Sequence, residues 1–185
     1  VKLLVGLGNP GRKYEGTRHN VGFDVLEILA ERAGSPARRQ RFQGEICQAT
    51  IRGTSALFLW PLTWMNLSGS SVLAARDFYK IPSADILVIC DDFQLPLTTV
   101  RLRPRGSAGG QKGLADIIGR LGGDDIPRLR VGIGPVPKHI DPAAFVLGRF
   151  QSAERTELDA TLLRAAEAAE AWATLGIDAA MNRYN

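Results

Sequence analysis

Histidine and cysteine are scarce in this chain of 185 residues, with two of each. Cys47 and Cys90 both sit in runs that read as strands, so they cannot build the disulfide framework of a small secreted domain, and a reducing cytoplasm is expected. Two histidines among scattered acids give no ligand cluster of familiar metal spacing, and no metal or other cofactor is expected. No apolar run approaches the roughly 20 residues that cross a bilayer, and no N-terminal stretch combines a basic flank, an apolar core and a cleavage site. A soluble chain away from the membrane is the expectation. Internal repeats, a coiled-coil register and a linker long enough to divide domains are also missing, which predicts one domain over 1–185. The 45% hydrophobic content is enough for a core.

What is present is an uneven distribution of charge. Lys and Arg outnumber Asp and Glu by 23 to 19. Residues 101–120 hold Arg101, Arg103, Arg105, Lys112 and Arg120 against Asp116 alone, whereas acids predominate after residue 150. Such polarity suits one face turned toward a polyanion; ordinary solubilising charge is the alternative.

Apolar runs and helical periodicities alternate along the chain. Residues 2–7 read as a strand buried on both faces, running into the turn Gly8-Asn9-Pro10-Gly11. Asn20 is placed to cap a helix over 21–33, behind a polar segment that reads as disordered. Residues 45–51 and 55–60 predict a hairpin, and Ser68 or a near neighbour caps a helix to about 79. A strand over 86–90 delivers Asp91 and Asp92 at its carboxyl end, where open α/β sheets place ligands. An edge or half-exposed strand over 98–103, a mobile glycine loop at 105–110, a helix over 112–121 and a strand over 129–134 follow. A turn at 143–147, a helix over 152–174 and a short terminal helix beyond Gly176 complete the series. Hairpins mixed with strand–helix alternation predict an α/β fold, a single-domain mixed twisted sheet flanked by helices on both faces.

Four groups of residues bear chemistry. Gly6-x-Gly8-x-x-Gly11 follows a strand, but Pro10 lacks an amide hydrogen and the helix starts some nine residues later, so a dinucleotide site is not expected. His19, in Thr17-Arg18-His19-Asn20, is a candidate for proton transfer near neutral pH. A strand-end aspartate could orient it; Cys90 as a nucleophile served by His19 is the alternative, against a packed strand thiol. Asn9 and Asn66 sit in turns that either hold backbone or aim an amide at a substrate oxygen. The glycine loop 106–113, flanked by Arg103, Arg105 and Lys112, could cradle phosphates, while His139 reads as a surface residue.

These stretches together resemble the bacterial-type peptidyl-tRNA hydrolase family over essentially the whole length. The resemblance rests on residues 6–14, 17–22, 65–69, Asp91-Asp92 through Pro96, and 128–134 continuing to 145–148, with residues 180–185 similar as well. It implies a monomeric cytoplasmic enzyme that cleaves the ester between a peptide and the 3′ ribose of tRNA, with no stable protein partner. It further implies His19 as catalytic base, Asp91 as its carboxylate partner, and Asn9 and Asn66 as positioning amides. Tyr14 would line the acceptor-end site, and Arg103 and Arg130 match basic positions for tRNA, with Arg105 and Lys112 nearby. Where the family reads Gly-Gly-His-Asn-Gly, this chain has Gly109-Gly110-Gln111-Lys112-Gly113, so Gln111 and Lys112 are expected to alter the grip on substrate. Phe93 and Gln94 are a milder departure. The alternative that this departure raises is a noncatalytic RNA-binding protein on the same fold, such as a splicing factor.

Overall fold

The first apolar run forms β1 (Lys2–Gly6), and because both its faces are apolar it takes the centre of the sheet. The computed structural model describes all of residues 1–185. Leu3 and Val5 point into one core and Leu4 into the other. On either side of β1 lie β4 (Thr54–Pro61) and β5 (Ile86–Pro96), both parallel to it. Beyond β4, β3 (Gly44–Ile51) pairs antiparallel through a two-residue turn in which Arg52 and Gly53 both have positive φ, the backbone that matches strand twist. An edge strand, β2 (Arg39–Arg41), follows it. Beyond β5, β7 (Arg128–Gly134) is parallel and β6 (Val100–Arg103) antiparallel, giving the order β2-β3-β4-β1-β5-β7-β6. On the outer edge of β6 the Asn185 side chain bonds the backbone of Leu102, accepting from its N–H at 2.8 Å and donating to its carbonyl at 3.0 Å.

Helices α1 (Val21–Arg32), α5 (Arg155–Leu175) and α6 (Ile177–Tyr184) cover one face, and α2 (Ser68–Tyr79) and α3 (Lys112–Leu121) the other. No helix is long and apolar enough to cross a membrane. A Cβ at Gly6 would lie 2.4 Å from the Gly22 carbonyl oxygen, and one at Gly22 would lie 2.4 Å from that of Ile89. Only glycine lets α1 start in backbone contact with β1 and β5, which sets the residues just before it over the carboxyl ends of the strands.

Four local expectations are corrected. The segment expected to be disordered is two 3-10 turns, Arg12–Tyr14 and Arg18–Asn20, with Thr17, Arg18, His19 and Asn20 buried. Residues 86–90 form only the first half of β5, which continues to Pro96, so Asp91 and Asp92 lie inside a strand whose register with β7 breaks after Asp92. Asn20 and Ser68 stand at helix starts without capping them: the Asn20 amide bonds the backbone of Asn9, and the Ser68 hydroxyl donates to the Met65 carbonyl at 2.7 Å. The three-residue strand β2 was not anticipated.

Candidate active site

Three chain segments converge over the ends of β1, β4 and β5. The loop after β1 carries Asn9. Its backbone N–H donates to Asn20 Oδ1 at 2.8 Å and its carbonyl accepts from Asn20 Nδ2 at 3.0 Å, which fixes the loop against the His19 turn. Asn9 Oδ1 accepts from the Met65 amide at 2.7 Å, so Nδ2 is the polar group that Asn9 presents to the cleft.

His19 and Asp91 meet across this junction. His19 Nδ1 lies 2.8 Å from Asp91 Oδ2, and both residues are buried. A carboxylate on Nδ1 places the proton there and leaves Nε2 as an unprotonated acceptor, the arrangement a general base requires. Asp91 Oδ1 accepts from Gln111 Nε2 at 3.0 Å. The neighbouring Asp92 also borders the cleft but has other partners, accepting from the Gln94 amide at 2.8 Å and lying 3.6 Å from an Arg130 nitrogen. Cys90, on the opposite side of the strand, is packed in the core, where burial and the Asp91 charge push its thiol far up. A neutral buried thiol is no nucleophile, and the strand-thiol reading holds.

Around the dyad opens a cleft of about 460 Å³. Asn9, His19, Asn66, Asp91, Gln111, Lys112 and Arg130 all line it. Its far wall comes from the segment of α4 (Pro142–Val146) and Leu147. That wall is tied to the His19 turn by Arg18, whose guanidinium lies 4.2 Å from the Phe145 ring centre and 5.2 Å from that of Phe150. Arg18 also reaches Glu154 at 3.2 Å, and its backbone N–H donates to the Gly148 carbonyl at 3.0 Å.

The sequence profile of the family described as Peptidyl-tRNA hydrolase matches residues 3–185. The chain belongs to the peptidyl-tRNA hydrolase family. The peptidyl-tRNA hydrolase of Chloroflexus aggregans is 50% identical over 184 residues, 99% of this chain and 98% of that protein. That of Rhodopirellula baltica is 50% identical over 186 residues, 100% and 97% of the two chains. A crystal structure of peptidyl-tRNA hydrolase from Acinetobacter baumannii aligns with a TM-score of 0.92 at 34% identity, covering 99% of this chain and 93% of that one.

Three of the residues expected at the site stand outside the cleft. Tyr14 packs edge-on against Trp64 with ring centres 5.9 Å apart, and Trp64 forms the wall in its place. Arg103 is exposed on β6, and Arg105 is exposed beside Asp125 at 3.4 Å. Arg130 has a double attachment, donating to the Ser107 carbonyl at 2.9 Å as well as facing Asp92. Together with buried Arg128, which donates to the Ser107 carbonyl at 2.8 Å, it ties down the loop that was expected to be mobile. Sequence reasoning missed Trp64, 55% exposed at the rim. The available signal was a tryptophan in a turn just after Pro61, with no strand or helix periodicity to bury it.

Proposed function

We propose that this protein hydrolyses the ester joining a peptide to the 3′ ribose of tRNA, releasing free tRNA and peptide, with residues 1–185 acting as one monomeric cytoplasmic domain. The observation that carries the assignment of roles is the buried His19–Asp91 pair, whose one uncommitted ring nitrogen is at the cleft. His19 Nε2 takes a proton from water as the water oxygen attacks the ester carbonyl carbon. Asp91 holds Nδ1–H and stabilises the imidazolium that forms. The Asn9 and Asn66 amides donate to the oxyanion of the tetrahedral intermediate. Collapse breaks the bond to the ribose 3′ oxygen, which recovers the proton from His19.

The tRNA body lies toward the exposed Arg103 and Arg105, whose charges meet phosphates without reading bases. Lys112 on the rim and Arg130 within the cleft extend this basic surface inward. A noncatalytic RNA binder has no use for an aligned His19–Asp91 pair, and no observation favours that reading. Replacing His19 with alanine is expected to lower turnover of N-acyl-aminoacyl-tRNA by roughly 10²–10⁴-fold with the fold intact by circular dichroism. Near-native turnover in that variant would remove His19 from the mechanism.

A further inference from the structure

Position 111, where the family's usual histidine is replaced, was expected to affect the grip on substrate. The geometry gives it other work. Gln111 is 6% exposed at the N-terminal cap of α3, and each end of its amide has a separate partner. Oε1 accepts from the Leu114 backbone N–H at 2.7 Å, and Nε2 donates to Asp91 Oδ1 at 3.0 Å, with Met65 Sδ at 3.3 Å as a second, weak acceptor. A backbone N–H can only donate, so Oε1 must face Leu114 and Nε2 must face Asp91. Rotating the amide by half a turn would break both bonds at once. Asp91 therefore has one oxygen occupied by a donor that cannot reverse, and its other oxygen is left for His19 Nδ1 at 2.8 Å.

We propose that Gln111 is a positioning residue for the hydrolytic reaction: clamped by the first turn of α3, it holds Asp91 so that its second oxygen faces His19 as an acceptor. The inference rests on the reading of His19 as the base. It makes hydrogen-bond polarity run one way, from the Leu114 amide through Gln111 to Asp91, and requires the proton of His19 to sit on Nδ1. The other charged groups of the cleft leave this line untouched. Arg130 faces Asp92 and Ser107, Lys112 is exposed, Asp141 lies on the far wall, and the Cys90 thiol is buried.

The direction of the line can be reversed by mutation. In Asp91→Asn, Gln111 still demands an acceptor, so the new amide must turn its oxygen to Gln111 and its nitrogen to His19 Nδ1. That drives the imidazole proton to Nε2 and removes the base, and kcat is expected to fall roughly a thousandfold or more. Adding Gln111→Glu supplies a carboxylate that accepts from both Leu114 and the nitrogen of the new amide. The oxygen of that amide then returns to His19 Nδ1. The double variant should recover at least about tenfold in kcat over Asp91→Asn, whereas a second loss within one catalytic unit would leave the rate no higher than in the single variant. Gln111→Glu alone sets two carboxylates together and should lower kcat about tenfold or more, with KM within about threefold. Nitrogen-15 NMR reads the tautomer without any turnover. With only His19 and His139, the second exposed and serving as internal reference, the His19 proton should move from Nδ1 to Nε2 in Asp91→Asn and back in the double variant.

A double variant no faster than Asp91→Asn, with its tautomer unreversed, overturns the proposal. So does Gln111→Glu that raises KM at unchanged kcat, because Gln111 would then be holding substrate. Should Gln111→Glu fail to fold alone, Asp91→Asn and the double variant carry the test. If the variants show the tautomer switch but the wild-type protein cleaves no blocked aminoacyl-tRNA, the hydrolase reading fails while the positioning role stands.

Discussion

Replacing Arg18 with methionine tests whether the far wall of the cleft is held from the His19 turn. The guanidinium lies against the rings of both Phe145 and Phe150 and pairs with Glu154, while only a long 3.4 Å bond reaches the Phe145 carbonyl. Each cation–π contact contributes about 0.5–1 kcal/mol at exposed sites and more when desolvated, as here. The Glu154 bond adds about 1.5 kcal/mol, at the low end for a charged hydrogen bond because Glu154 keeps some solvent and still accepts from the Gln151 amide at 2.8 Å. Methionine retains most of the apolar volume, so the loss should be about 3 kcal/mol, or roughly 9 °C in Tm at about 3 °C per kcal/mol for a chain of this size. Because the freed element is the wall at α4 and Leu147 rather than the His19–Asp91 pair, KM for a blocked aminoacyl-tRNA should rise about tenfold with kcat within about threefold. Lysine at position 18 should restore the charge but not the stacked plane, recovering less than half of the lost stability. An unchanged Tm and KM in the methionine variant would refute the tie. A fall in kcat at constant KM would show that Arg18 acts through His19 instead.

Asp24, in the first turns of α1, is raised to about 6 by burial, then by the charge of Glu27, with Arg155 opposing. A carboxyl that binds its proton more tightly in the folded chain penalises that state once both forms are ionised, above pH 6, and not once both are protonated, below about pH 4. Asp24→Asn should therefore stabilise the protein at pH 8 by up to about 3 kcal/mol, the gain shrinking as pH falls from 6 toward 4 in denaturant melts. Lys112→Asn should change KM severalfold and kcat less than twofold, since an exposed flexible cation contributes mainly ground-state attraction. Removing Arg103 and Arg105 together should reduce the slope of log Kd against log salt for tRNA by about 2, measured by filter binding; an unchanged slope would place the phosphates elsewhere.

Much of this architecture is legible in the chain because burial writes itself into local pattern. β1 and the first half of β5 are apolar runs, and α1 and α3 carry a helical stripe ending at glycine. What stayed illegible depends on partners far away in sequence. The order of the His19 turn comes from Arg18 meeting Phe145 and Glu154, 127 and 136 residues on. β2, as Arg-Gln-Arg, has no apolar face to betray it and exists only because β3 presents an edge. Asn20 and Ser68 were rightly placed at helix starts, but composition does not reveal that a better acceptor or donor stands nearby. His19, Asp91 and the two asparagines were identifiable as polar residues at loops and a strand. The role of Gln111 was not, because the same amide fits substrate, helix and carboxylate equally well until the direction of each bond is known.

The side chain of Asn185 has a consequence for colloidal behaviour. An outermost strand with free amides and carbonyls is a template on which another chain can build, and this sheet has two such strands. β2 defends itself with Arg39 and Arg41, whose like charges repel an incoming copy. β6 carries a like pair, Arg101 and Arg103, and adds a second device: a carboxamide mimics one peptide group of a further strand, accepting from the Leu102 N–H and sharing the Leu102 carbonyl with the Arg103 guanidinium. Asn185 thus acts as a plug against fibre-like growth, and its loss would be felt as concentration-dependent self-association at that margin of the sheet long before it was felt as unfolding.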